Sequence, residues 1–408
     1  MTNTPELPTF NIASREFRAN PFPVYARLRA EAPVYRTVLP DKQPAWLITR
    51  YDDVVMTLKD EQRFSKNPLA GKTPAQIKQM PWTPPMFASL SRTILDTDFE
   101  AHARLRGLIH LAFTPRRVEQ MRARAQTLAN ELLDAAERRG QMDLIHDYAL
   151  PIPLTIISEM LGIPPKDRTR FQRWIKAMIN LSGSQYVQLL MLPQLLLMMR
   201  YLRRLFLQRR ADPRDDLISA LAAAEDGGQR LDDDELTAMV FVLLIAGHET
   251  TVNLIGSGSL ALLQAPDQLR LLRQQPELIR SATEELLRYV NPVEEATERY
   301  AREDVTLHGV TIPQGQMVLA VLASANRDPQ VFSDPDQLDL ARADNKHVAF
   351  GLGVHYCVGA PLARLEGQIA IQTLAARLPN LRLAAAPQTL RWRPGLTVRG
   401  LEALPVAV

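Results

Sequence analysis

The stretch Met239-Val-Phe-Val-Leu-Leu-Ile-Ala246 is apolar on every face of a helix, and such a helix is stable only when other elements surround it. Its start is well made. Asp232 and Glu235 have the spacing of a capping box, and the acids of Leu231-Asp-Asp-Asp-Glu235 suit the positive end of the helix dipole. A buried central helix therefore sets the fold class: mainly α with small β-sheets, in a single domain spanning residues 1–408. With 46% hydrophobic residues the chain has the side chains to build that core. Immediately after the apolar run stands Gly247-His248-Glu249-Thr250-Thr251. Glycine inside a helix costs about 1 kcal/mol relative to alanine, and unpaired polar groups in a core cost more. A chain that accepts both in one place needs space and protons there. The plainer alternative is a helix end, or a threonine bonded to its own i−4 carbonyl.

Around this helix the periodicity predicts mostly helix from about His102 to Leu287. Short strands are expected at Val34–Val38 and Trp46–Thr49, around the Gly309 turn from Val305, at Met317–Leu322, at Leu381–Leu383 and within Leu396–Val408. Pro74 to Pro85 reads as an irregular loop, and residues 1–20 as a flexible N-terminus. Gly227-Gly228 is too short to mark a domain boundary. No apolar stretch reaches the roughly 18 uninterrupted residues of a membrane span, and the polar start lacks the apolar region of a secretion signal. The expectation is a cytoplasmic protein with no membrane span. A net charge of +3, with dispersed arginines and no interleaved aromatics, argues against nucleic-acid binding. An acidic protein partner remains compatible with it.

The only cysteine, Cys357, lies in Phe350-Gly351-Leu-Gly353-Val-His355-Tyr-Cys357-Val-Gly359. A lone cysteine has no disulfide partner and builds no zinc cluster; ordinarily it is a small buried hydrophobe. Here three glycines crowd it, as where backbone passes close to a bulky flat object. The following Ala360-Pro361-Leu-Ala-Arg364 reads as a helix start. A thiolate there would face backbone N–H groups and the positive end of a helix dipole. One anionic thiolate can serve as the protein ligand of a haem iron, and Cys357 is assigned as that axial ligand.

The run F-G-L-G-V-H-Y-C-V-G, continued by A-P-L-A-R, resembles the haem-binding loop of the cytochrome P450 family, and the resemblance extends from about residue 20 to the end. It implies that haem b lies between the central helix and the Cys357 loop, with Phe350, Gly351 and Gly359 shaping that loop. A-G-H-E-T-T is similar to the family's oxygen-binding groove. By that match Gly247 leaves room for dioxygen, Thr250 hydrogen-bonds the activated oxygen, and Glu249 starts a proton relay. His248 is read as a neighbour. Glu285 and Arg288 match the family's structural E-x-x-R pair. His102 and Arg106, Arg299 and His355 match its contacts to the haem propionates.

The resemblance implies a soluble bacterial-type monooxygenase that hydroxylates or epoxidises a hydrophobic small molecule with O2. Electrons would come from NAD(P)H only indirectly, through a ferredoxin or flavodoxin and its reductase. Arg104, Lys346 and Arg364 are candidate donor contacts. No fused reductase is expected, because the chain ends soon after the haem domain should. Variable regions expected to shape the pocket are Pro68–Leu90, Met178–Met199, the helix face with Val242, Ile245 and Ala246, and Val293 with Ala296. Two alternatives stand beside this reading: a peroxide-dependent or O2-independent haem-thiolate enzyme, and a non-enzymatic haem sensor or binder.

Overall fold

A helix of 32 residues, Asp233–Gln264, runs through the middle of the molecule and spans about 48 Å. The expected capping box is formed: Asp232 accepts from the Glu235 N–H, and the Glu235 side chain accepts from the Asp232 N–H. The structure, a computed structural model, describes residues 10–78, 93–179 and 185–408. The central helix passes the length and composition test for a membrane span, yet 56% of its most apolar window is buried within the protein. It is the core helix. Helices Pro151–Met160, Ile279–Val290 and Ala360–Arg377, with the π-helical segment Leu144–Ala149, pack around it. Gly256 makes one of these contacts feasible, because a β-carbon there would lie 2.2 Å from Ile145 Cδ1.

The strands are short and lie to one side. Strands β1 (Val34–Val38), β2 (Pro44–Ile48), β3 (Phe64–Ser65), β5 (Arg299–Ala301) and β8 (Met317–Ala320) form one sheet in the order β1-β2-β8-β5-β3. Only β2 and β8 pair in parallel, from Ala45 opposite Met317 to Ile48 opposite Ala320. A second sheet joins β4 (Gln141–Asp143), β10 (Pro405–Ala407) and β9 (Arg382–Leu383), and β6 (Val305–Leu307) forms a hairpin with β7 (Val310–Ile312).

Two expectations are corrected. Residues 74–78 form a short helix inside the stretch read as a loop, and the rest of that stretch lies outside the described residues. The N-terminus is ordered from residue 10. Helix Arg15–Ala19 carries Arg18, which is fully buried. Arg18 pairs with Glu294 at 2.5 Å and Glu295 at 3.3 Å, Arg399 approaches Glu294 at 3.1 Å, and the Tyr25 hydroxyl bonds both carboxylates. A sequence-local reading of residues 1–20 could not foresee partners almost 300 positions away.

The pair at Glu285 and Arg288 is fully buried, with two hydrogen bonds of 2.8 Å. Arg288 also donates to the carbonyls of Asn326, Pro335 and Gln337, while Glu285 accepts from the Asp339 N–H, Arg342 and Asn345. The pair thus fastens residues 326–345, the irregular segment leading to the cysteine loop, onto helix Ile279–Val290. Removing one partner of a buried pair strands the other charge, at a cost of about 3–5 kcal/mol. Arg288→Leu is expected to lower the urea-unfolding free energy by that amount. A loss below about 1 kcal/mol, the value of an exposed pair, would show that the pair does not hold this segment.

Candidate active site

Backbone contacts build the cysteine loop. The Cys357 N–H donates to the Phe350 carbonyl at 3.0 Å, and the Tyr356 N–H to that of Gly353 at 3.1 Å. Gly353 has φ of 73°, and a β-carbon there would lie 2.9 Å from the Leu58 carbonyl oxygen. Glycine is required for both the left-handed backbone and the close approach. Helix Ala360–Arg377 follows at once, with Gly359 as its N-cap and Pro361 in its first turn. Burial pushes the Cys357 thiol up; the N–H groups of Gly359 and Ala360 and the guanidiniums of Arg106 and Arg364 pull the other way. The residue is nonetheless accessible, so its surroundings leave a side of it open to a ligand. A soft donor held among N–H groups and cations fits a metal ligand that loses its proton on coordination.

The loop is braced from both sides. Arg106 Nη1 donates to the Tyr356 carbonyl at 2.6 Å. Arg364 donates to Glu284 at 2.7 and 2.8 Å and to the Tyr356 hydroxyl, and its guanidinium lies 4.5 Å from the Phe350 ring centroid. Although burial works against it, hydrogen bonds from His347 and Arg364 hold Glu284 down at about 2. Arg364 is therefore tied into the loop's support. Arg104 pairs with Glu235 on the central helix. Of the three cations considered for donor docking, Lys346 alone is largely exposed, 3.2 Å from the equally exposed Asp344.

Beside the loop, cationic and imidazole groups converge, with Glu61 and Asp98 carboxylate oxygens within 4.8 Å of a His355 ring nitrogen; Asp98 is already taken up by Ser65, the Lys66 N–H and Arg302. His102, on helix Phe99–Ala112, and His355, in the loop, have ring centroids 4.1 Å apart, and both Nε2 atoms are buried with no partner. Burial, then His102, Lys66, Arg299 and Arg106, hold His355 down at about 2. Arg299, at the start of β5, is brought down to about 10, chiefly by burial. Lys66 was not foreseen from the sequence. It is 5% exposed, donates to Thr297 Oγ1 and the Glu298 carbonyl at 2.6 Å each, and is pushed down to about 7 by burial and by Arg299. Its place directly after β3, which pairs with β5, is the only signal that could have found it. Two orphaned imidazole nitrogens among three depressed cations are what a buried group with carboxylate arms would satisfy. The residues present therefore fit haem b.

On the central helix, Val242, Ala246, Gly247 and Thr250 share a face that remains accessible although the helix is a core element. A β-carbon on Gly247 would meet nothing closer than 4.0 Å; protein packing does not require glycine here, so the space serves something else. The helix continues through 247–251 without a break, contrary to a reading in which the polar run disrupts it. Thr250 Oγ1 donates to its own i−4 carbonyl, Ala246, at 2.9 Å. Glu249 is pushed up by burial against the opposing pull of Arg393, whose Nη1 lies 3.4 Å from Glu249 Oε1. Arg393 comes from the C-terminal segment and was also missed. His248 is fully buried, its Nδ1 2.6 Å from the Leu244 carbonyl, and burial keeps it neutral. Among the remaining pocket candidates, Ile245 packs against the main core, and Val293 and Ala296 belong to the cluster under β5 and β8. Parts of Pro68–Leu90 and Met178–Met199 lie outside the described residues.

The family model described as Cytochrome P450 matches residues 7–389. The chain is 44% identical over 403 residues to the polyketide biosynthesis cytochrome P450 PksS of Bacillus subtilis (strain 168), covering 98% of each chain. The solved structure of PksS superposes with a TM-score of 0.91, covering 98% of this chain and 99% of that one. The cytochrome P450 monooxygenase PikC of Streptomyces venezuelae is 43% identical, covering 99% of this chain and 95% of its own. A myxobacterial cytochrome P450 solved with myristic acid has a TM-score of 0.89 at 42% identity, covering 97% of this chain and 98% of its own.

Two measurements check the site. Reduced, carbon-monoxide-bound protein is expected to show the red-shifted Soret band of thiolate ligation, and Cys357→His to abolish it; a band retained by the variant would refute the ligand assignment. Hydrogen bonds to charged groups contribute about 1.5–3 kcal/mol, so Lys66→Met should speed haem transfer to apomyoglobin roughly tenfold or more. The same change at Lys72, which donates to the Gly315 carbonyl, should leave transfer unaltered.

Proposed function

As a member of the cytochrome P450 family, the chain is a haem-thiolate monooxygenase, and we propose that it hydroxylates or epoxidises a hydrophobic small molecule through Glu249 and Thr250, with electrons from a separate ferredoxin or flavodoxin and its reductase. When bound through Cys357, haem b supplies the redox chemistry by which one atom of O2 enters the substrate and the other leaves as water, consuming two electrons and two protons. The chain's own residues hold the group and meter the protons. His102, His355, Lys66 and Arg299 are placed to bind its carboxylates, and Arg106 braces the ligand loop through Tyr356.

The observation that carries this reading is the accessible face of Val242, Ala246, Gly247 and Thr250, with a partly buried acid next to it. Burial raises Glu249, which favours a carboxyl able to carry a proton, while Arg393 favours the carboxylate that takes one up. Opposed influences of this kind suit a group that must both gain and lose a proton. Thr250 spends its hydroxyl proton on Ala246, which leaves the oxygen lone pairs free to accept from a neighbour. Val242 and Ala246 offer a narrow apolar wall beside that hydroxyl. The hydrophobic substrate class is supported by those residues and by the similarity to relatives named 6-deoxyerythronolide B hydroxylase and vitamin D(3) 25-hydroxylase.

Thr250→Ala is expected to keep binding haem and substrate and to keep consuming reductant, while releasing most of the oxygen as hydrogen peroxide. Glu249→Gln should slow turnover roughly 100-fold, the contribution typical of a positioned acid or base, with little change in substrate affinity. Product and peroxide are measured together with a surrogate redox pair. Full coupling in Thr250→Ala would remove this threonine from the mechanism. Equal turnover on peroxide alone, with no gain from electrons and O2, would move the protein to a peroxide-dependent class.

A further inference from the structure

Charge is unevenly distributed along the chain. Residues 165–211 hold ten of the 48 Lys and Arg but one of the 45 Asp and Glu, so this span carries +9 and the remainder −6. It forms helices Pro165–Ile179 and Gln185–Ala211, which pack against each other. Their seam is aromatic: the ring centroids of Trp174 and Tyr201 are 5.7 Å apart, with the Arg170 guanidinium over both.

Part of this charge is matched locally. Arg168 pairs with Glu159, Arg170 with Asp167, Arg203 with Asp234, Arg209 with Asp216 and Arg210 with Asp233. Lys166, Arg173, Arg200 and Arg204 are exposed and make no ion pair among the described residues. On the second helix Leu195, Met198, Leu202, Leu205 and Phe206 are buried. The opposite side carries Leu196, Leu197, Arg200, Arg204 and Leu207, and its three leucines are 43%, 55% and 60% exposed. A helix side facing only water is normally polar. Leucines alternating with unpaired arginines along about 17 Å match a different boundary. There, aliphatic side chains enter the acyl layer, and arginine stems lie along it with their guanidiniums at the phosphates.

We propose that the outward side of these two helices is a docking surface for an anionic lipid bilayer, with Leu196, Leu197 and Leu207 in the interface and Lys166, Arg173, Arg200 and Arg204 at the headgroups. An acidic protein would satisfy the same cations, but it would need matching recesses for three leucines strung along a convex helix, whereas a fluid bilayer adapts to them. The attachment proposed is peripheral; among the described residues the one helix apolar enough to span a membrane is the core helix. It is independent of the reaction assigned to the haem side and stands or fails separately.

The haem-loaded full-length protein is sedimented with vesicles of phosphatidylcholine alone and of equal phosphatidylcholine and phosphatidylglycerol. Binding is expected only to the anionic vesicles and should weaken with salt. Each cation near an anionic surface is worth roughly fivefold, so Arg200→Glu with Arg204→Glu should lower affinity at least about 25-fold. Leu196→Ser with Leu197→Ser, which leaves charge unchanged, should also lower it; Arg138→Glu, on helix Arg122–Arg139, should not. An unaltered haem spectrum and melting temperature show that each variant is folded. Equal binding to neutral vesicles, or affinity unmoved by the arginine or the leucine pair, would overturn the proposal. So would capture of a purified acidic ferredoxin by this face with no vesicle binding.

Discussion

Burial of an all-apolar helix is the constraint on which the rest of the structure depends. Residues Met239 to Ala246 have no polar side to offer water, and the helix that carries them packs against helices Pro151–Met160, Ile279–Val290 and Ala360–Arg377. The last two of those helices also carry the machinery of the ligand loop: Glu284 and the Glu285–Arg288 pair on one, the N-terminal turn after Cys357 on the other. Packing around one helix therefore brings the cysteine loop and the Gly247–Thr250 face into a common framework.

Buried charge does the fine positioning, and its geometry shows why it is retained. A buried ion pair is weak evidence of net stability, because desolvation offsets most of the attraction. Its value here is directional. Arg288 reaches three carbonyls of an irregular segment that has no ladder of its own, and Glu285 accepts from three donors of the same stretch. Apolar side chains of equal volume could fill that space without fixing where residues 326–345 go. The cluster of Arg18, Tyr25, Glu294, Glu295 and Arg399 does the same for both chain ends, binding them beside Val293 and Ala296.

The haem side shows the complementary case. Burial lowers His102, His355, Lys66 and Arg299 alike, and neighbouring cations push His102, His355 and Lys66 further the same way, so that each charged form is disfavoured. Such an assembly is costly by itself and becomes favourable when an anionic group enters it. The same reasoning, with the opposite sign, applies to Glu249, whose burial is only partly offset by Arg393.

Local chemistry with a short reach was readable from the sequence alone. The capping box at Asp232 and Glu235, the core character of the central helix, the Gly-rich loop at Cys357, and the Glu285–Arg288 pair all depend on residues within a few positions of one another. What escaped that reading comes from distant parts of the chain. Lys66 joins the cation group because β3 pairs with β5, Arg393 meets Glu249 across 144 positions, and Arg18 is buried by partners near residue 294. Arg364 and Arg104, plausible surface cations by sequence, turned inward to Glu284 and Glu235. A guanidinium reads the same in sequence whether it faces water or a carboxylate. Only the packing that brings a partner within about 3 Å decides which, because both desolvation and Coulomb attraction depend on that distance and not on position along the chain.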